Sequence, residues 1–281
     1  MDKEAYIYTK FKSKLNGDDC AIVGDLAYCK DLFVEGVHFR REWLSMHEIG
    51  AKAMLVNISD MIAKNAKPKY ALIGLSLPGD ITTVQIDELC AGLNETAQKW
   101  GIEIIGGDTI SDDKISISIT MIGKCKKPIF RNGVKCGHLI AHTGKLGYVG
   151  IDLQILLGGG KRSEISPHSR MLRPELRAKF FYKAAKYISA SMDISDGLGQ
   201  DLERLLRASG VGMSWLVSPK EYVLNSGEEY EILFAFEPKF LSKIYEIASK
   251  TKTPISVIGK AEDRNLDNTC EFKGERHHFS E

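Results

Sequence analysis

The sequence predicts a mixed α+β (α/β) protein of two domains. Strand-like and helix-like segments alternate along the chain, and a basic, turn-rich stretch interrupts them near the middle. The 281 residues suffice for two units of ordinary size. "AIVGD" and "LAYCKDLFVEGVHF" read as β. From Met46 to Ala66 the apolar spacing is helical, through Ile49, Ala53 and Val56, and Pro68 closes it. "YALIGLSLP" reads as a buried strand, and Thr82 and Thr83 open a helix to Trp100 with Gly101 at its C′ position. "IEIIGGDTI" and "KISISITMIG" are strands. "GKCKKPIFRNGVKCG" follows, and the domain boundary is placed there, dividing 1–127 from 128–281. Beyond it the pattern predicts strand "HLIAHTG", helices over 149–157 and 175–187, strand "SASMDISDG" and helix 198–208. Strands at 213–217 and 229–236, a helix at 240–250 and strand "PISVIG" complete the second unit.

Composition narrows the function. Hydrophobic residues make up 43% and charged residues 27%, a globular balance, and the net charge of +1 gives nucleic-acid binding no support. No run approaches the roughly 18 apolar residues of a membrane span. The start "MDKEAYIYTK" has no apolar secretory core, so the expected location is cytoplasmic. Cysteines 20, 29, 90, 125, 136 and 270 form no CxxC pair and read as reduced and structural. His277 and His278 read as part of a solvated tail.

The acidic residues are more informative. Ile-Ser-Asp occurs at 58–60, 110–112 and 194–196. Asp60 shares a helical face with Ala53, Val56 and Asn57, where a carboxylate is expensive unless it is paired or binds a cation. Asp108 follows "IEIIGG" at a strand end, and Asp193 and Asp196 sit where a strand gives way to a helix. Asp18 and Asp19 lie in a turn that feeds a strand. Asp196 also suits an N-cap of helix 198–208. Strand-end carboxylates beside glycines, recurring in distant segments, are how oxygen-ligand Mg²⁺ sites are built, with phosphate oxygens completing the shell. No GxxxxGK[S/T], strand-linked GxGxxG, protein-kinase set or GxSxG elbow is present. A bound nucleotide would therefore depend on metal ions for its phosphates.

In order, "GDDCAIV", "KDLFVEGVHF", "LVNISDMIAKNAKP", "IIGGDT", "FRNGVKCGHLIAHTGKLG", "DISDGL" and "SGEEYEILF" resemble the thiamine-monophosphate kinase family. That family belongs to the aminoimidazole ribonucleotide synthetase superfamily, and the resemblance runs from about 17 to 279. It implies a two-domain synthetase-like fold whose N-terminal domain pairs strands in a homodimer and whose C-terminal α/β domain completes the site. It also implies ATP-dependent phosphorylation of thiamine monophosphate to thiamine diphosphate with several Mg²⁺ ions. Carried over, the metal-binding residues are Asp19, Asp31, Asp60, Asp108, Asp193 and Asp196. The ATP-contacting positions are Gly107, Asp108, Arg131, Ser195 and Trp100, and His38 and Glu228 match substrate-contacting positions. No general base is expected, because the acceptor phosphate, with a second pKa of about 6, is already largely dianionic. The competing readings are another ATP-using member, such as aminoimidazole ribonucleotide synthetase, and a nucleotide-binding regulator without chemistry.

Three departures from the family pattern stand out. Lys30 precedes Asp31 where Thr is usual, so either a ligand is lost or the ammonium substitutes for a cation's charge. "SGEEYE" changes Ser226 and Glu229 relative to Gly-Gly-Glu-Asp-Tyr-Glu. "GERHHF" lacks the aromatic residue before the histidines, leaving Phe272 or Phe279 to stack on the substrate rings near Arg276.

Overall fold

The computed structural model describes residues 3–264. After a short helix α1 (Lys3–Tyr8), the first sheet comprises β1 (Ala21–Val23), β2 (Leu26–Val34), β3 (Lys67–Leu77), β4 (Glu103–Ser111) and β5 (Ser116–Lys124). Their order is β1-β2-β5-β3-β4, with β3 and β4 parallel and the other pairs antiparallel. The second sheet comprises β6 (Leu139–Thr143), β7 (Ile188–Asp193), β8 (Val211–Trp215), β9 (Ile232–Phe236) and β10 (Ile255–Asp263), antiparallel in the order β7-β9-β6-β10-β8. Helices α2 (Met46–Ala63) and α3 (Thr83–Trp100) accompany the first sheet. Helices α4 (Tyr148–Leu157), α5 (Ala178–Ala184), α6 (Leu198–Ser209), α7 (Glu221–Leu224) and α8 (Leu241–Thr251) accompany the second.

Helix α2 organises the molecule. Fifteen of its 18 residues are buried, far beyond the single apolar stripe of a surface helix. It packs on β2, β5 and α3 on one side and reaches β7 and α5 on the other. One apolar cluster therefore runs from Cys20 and Phe33 of the first half through Met54 and Ile62 to Phe180 and Phe234 of the second. Ser45 starts α2 with a reciprocal capping box to Glu48, and Thr82 starts α3 with another to Gln85.

The structure differs from the pattern mainly at element ends. Helix α2 stops at Ala63, three residues early, because Asn65 takes the left-handed conformation (φ 58°) and Ala66 N–H bonds back to Met61 O. Pro68 lies inside β3. Helix α5 begins at Ala178, not 175, because the preceding segment carries Arg170 and Arg177 to Glu231. Strand β7 ends at Asp193, and residues 194–197 turn away. The pattern gave no sign of α1 or α7.

At the crossing of α2 and α3, glycine is required twice. A Cβ on Gly92 would collide with the His47 carbonyl, and one on Gly50 with the Leu89 carbonyl. Gly92→Ala should separate the helices and cost about 1–3 kcal/mol of stability, the usual penalty of overpacking. Urea unfolding against the parent chain measures it.

Candidate active site

The segments holding most of the acidic candidates converge on one cleft of about 760 Å³ between the two halves. Strand β2 supplies Asp31, whose N–H donates to Asn57 Oδ1 at 3.2 Å, so α2 and β2 are locked together beside the site. Asp60 lies in the last turn of α2. Buried Asp193 ends β7 and accepts the Ser59 hydroxyl at 2.7 Å. Asp19 enters from the turn before β1. One carboxylate oxygen each from Asp19, Asp60 and Asp193 fall within 4.8 Å of one another.

Burial pushes Asp60 well above the usual carboxylate range, and the neighbouring Asp31 and Asp193 push it further. Asp193 is raised by burial and by Asp19, against the lowering effect of Ser59. For Asp19 burial acts upward, but Lys64 and Arg131 outweigh it and hold the group below its ordinary value. Asp19 Oδ2 is buried without a hydrogen bond, although Lys64 Nζ stands 3.1 Å away. An all-oxygen set of three converging carboxylates, one with an unsatisfied oxygen, suits a hard divalent cation such as Mg²⁺.

"DISDGL" and "SGEEYE" meet here. The turn after β7 continues the pairing with the loop before β9: Ile194 N–H bonds Glu231 O at 2.8 Å, Tyr230 N–H bonds Ile194 O at 2.8 Å, and Glu228 N–H bonds Ser195 O at 2.7 Å. Glu228 and Tyr230 both adopt left-handed backbone (φ 54° and 49°), a strain typical of functional loops. Asp196 is not the cap of α6. Gly197 holds that position, the Asp196 carboxylate accepts from Arg204, and Asp201 reaches back to the N–H groups of Ser195 and Asp196 at 3.0 and 3.1 Å. Desolvation and Asp196 push Asp201 up to about 7.

The other cleft candidates are also held in place. Val34 N–H donates to His38 Nδ1 at 3.0 Å, which puts the proton of a neutral ring on Nε2. Buried Lys52 donates to Glu228 Oε2 at 2.7 Å, joining α2 to the second half. Arg131 donates its backbone N–H to Asp18 Oδ2 at 3.0 Å, and its guanidinium pairs with Asp19. Gly107 and Asp108 stand elsewhere, exposed on β4 in a separate hollow with Leu93 and Asn94. Trp100 lines neither cavity and packs half-buried against the core, its Nε1 buried without an acceptor.

The departures resolve unevenly. Ser226 and Glu229 hydrogen-bond each other at 2.6 Å, so the two changes form a matched pair, and Gly147 N–H completes the acceptor role of Glu229 at 2.6 Å. By strand alternation Lys30 faces away from Asp31, and it donates to Ser118. Arg276, Phe272, Phe279, His277, His278 and Cys270 lie outside the described residues. Reading the pattern missed Lys52, Lys64, Asp201 and Arg204. The signal for the lysines was there: both fall in an otherwise apolar helical run.

Comparisons with known proteins agree with this architecture. Residues 17–125 match the family model of the AIR synthase related protein, N-terminal domain. The thiamine-monophosphate kinase of Aquifex aeolicus is 34% identical over 253 residues, covering 79% of this chain and 81% of that protein. This chain belongs to the thiamine-monophosphate kinase family. The Nitrosopumilus maritimus kinase is 32% identical over 77% of this chain and 75% of its own length. The solved structure of AaThiL complexed with AMPPCP and TMP superposes with a TM-score of 0.84 at 28% identity, covering 99% of this chain and 96% of that one.

In this family member the raised carboxylates make the metal-free fold sensitive to pH. Asp60 binds its proton more tightly folded than unfolded, so its contribution to stability falls as pH rises from the unfolded value through the raised folded one. Asp60→Asn removes that penalty. Without metal, the variant should melt several degrees above the parent at about pH 8 and converge with it near pH 4. Thermal melts in a chelator across that range read the difference, and added Mg²⁺ should raise the parent more than the variant.

Proposed function

We propose that this chain transfers the γ-phosphoryl group of ATP directly to thiamine monophosphate, giving thiamine diphosphate. One observation carries the reading: in a member of a thiamine-monophosphate kinase family, Asp19, Asp60 and Asp193 converge in a cleft already ringed by fixed cations. That AaThiL was solved complexed with AMPPCP and TMP supports an ATP-like donor and a phosphorylated thiamine acceptor for this chain.

The difficulty of this reaction is electrostatic. Two unit charges 4 Å apart repel by about 4 kcal/mol at an effective dielectric near 20, and several such pairs approach together. Mg²⁺, if held by the aspartates, would supply screening of that repulsion and charge neutralisation at the transferred group. Asp19, Asp60 and Asp193 would hold the ions, joined by Asp31 on β2 and Asp196 beside Arg204. Arg131 presents a fixed positive charge, and the Ser195 turn, anchored by Asp201, contacts phosphate. His38 offers its Nε2–H to the acceptor phosphate, and Glu228, steadied by Lys52, orients the acceptor. The acceptor oxygen is already ionised, so no side chain removes a proton.

We also infer a homodimer formed through the first sheet, with residues 1–127 as the pairing domain and 128–281 completing the site. Strand β4 is an edge strand with exposed Ile105 and Ile110, and Tyr70 and Leu72 of neighbouring β3 are also exposed. Gly107 and Asp108 stand on this edge strand, so their nucleotide and metal roles would be exercised from the dimer face. No described helix is long and apolar enough to cross a membrane, and the ATP it consumes makes the cytoplasm the proposed compartment.

ADP should be released from ATP with thiamine monophosphate and not with thiamine or formylglycinamidine ribonucleotide. ATP binding without turnover would favour the regulator reading. Asp193→Asn should lower turnover by about 10²–10³-fold, the scale of losing one charge-stabilising group, with its circular dichroism unchanged. Ile110→Lys should shift the chain to monomer in sedimentation velocity.

A further inference from the structure

Among the described residues, Lys52 and Lys64 are completely buried. Lys52 answers to Glu228, but Lys64 sits at the acidic cluster itself. Its Nζ lies 2.5 Å from Asp18 Oδ1 and 3.1 Å from Asp19 Oδ2, and it donates to the Ser191 carbonyl. The ammonium is thus enclosed by three oxygens, the Ser191 carbonyl as hydrogen-bond acceptor and two carboxylate oxygens as ion-pair partners. Those oxygens come from the turn before β1 and from β7, so the side chain ties both halves to the end of α2. The Ser191 hydroxyl bonds Ala63 O at 2.6 Å, fixing the strand against the helix terminus from which Lys64 projects. Burial alone would push Lys64 down, yet Asp19 and Asp18 hold it above its ordinary value.

We propose that Lys64 is a positioning residue, the permanent monovalent cation of the active site: its ammonium takes the place of a bound ion at Asp18 and Asp19 and sets the orientation in which Asp19 meets Asp60 and Asp193. Divalent ions are thereby confined to the Asp19–Asp60–Asp193 side of the cluster. The inference rests on the metal-assisted reading of the cleft, but its test needs no turnover. A purely structural lysine would hold the halves together without affecting which cations bind.

The test uses metal-free full-length protein, as the parent, Lys64→Met and Lys64→Gln. Mn²⁺ binding is titrated by electron paramagnetic resonance without nucleotide, and melting is followed with added ammonium, K⁺ or Mn²⁺. The proposal expects each variant to bind one more cation per chain than the parent, as an extra Mn²⁺ or as K⁺ that competes with it. It also expects small cations to restore most of the melting temperature that the substitution lowers. Unchanged Mn²⁺ stoichiometry together with a loss that no cation restores would overturn it. If neither variant folds, the parent alone decides: exchanging tetramethylammonium for K⁺ at constant ionic strength should leave its melting and Mn²⁺ binding unchanged, and a K⁺-dependent shift would overturn the proposal. Failure of thiamine monophosphate turnover would leave these readouts standing, and their failure would leave the kinase reading standing.

Discussion

Mutual repulsion of desolvated carboxylates at the end of α2 is the constraint on which the rest of the structure depends. Burial raises Asp60 most, and Asp31, Asp193 and Asp19 raise it further. A cluster of this kind holds only where cations are supplied. The fold places some of them permanently, with Lys64 and Arg131 at Asp18 and Asp19, Arg204 at Asp196 and Lys52 at Glu228. We propose that the crowding at Asp60 and Asp193 is left for ions that arrive with substrate.

This division of charge explains why α2 is buried almost all round. The helix carries Lys52, Asn57, Ser59, Asp60 and, just beyond its end, Lys64, and each side chain reaches a different segment of the cleft. Carboxylates drawn from sequence positions 19, 60 and 193 meet within 4.8 Å. One helix packed between two sheets gives them a common, rigid reference. The close glycine contact between α2 and α3 keeps that helix seated.

The fold was largely legible in the sequence because periodicity reports burial, and burial decides these elements. The helix to Trp100 with its Gly101 terminus, and the alternation in β5, came through almost residue for residue. Ends decided by tertiary hydrogen bonds did not. The strand expected over 189–197 stops at Asp193 because the following turn pairs with the loop before β9, and Asp196 prefers Arg204 to a capping role. Asp19, Asp60, Asp193 and Asp196 drew attention by their turn, strand-end and helix-face contexts, Asp31 only through the family resemblance, and the structure brings all five to one cleft. Asp108 and Trp100 could not be placed from sequence, since their own chain sets them on other surfaces. Lys30 attracted notice as the odd charge beside Asp31, but although it lines the cleft its ammonium goes to Ser118, and the ammonium at the aspartates comes from Lys64, twelve residues after Lys52 on the same helical run.

We propose that the gap among Asp19, Asp60 and Asp193 is a divalent-ion seat shared with a polyphosphate. Anomalous diffraction from crystals grown with Mn²⁺ and a non-hydrolysable ATP analogue tests it most directly. The account predicts a peak at about 2.0–2.3 Å from carboxylate oxygens of these aspartates and from the nucleotide phosphates. Peaks confined to other acidic surfaces, with the three carboxylates bridged only by Lys64, Arg131 and water, would contradict it.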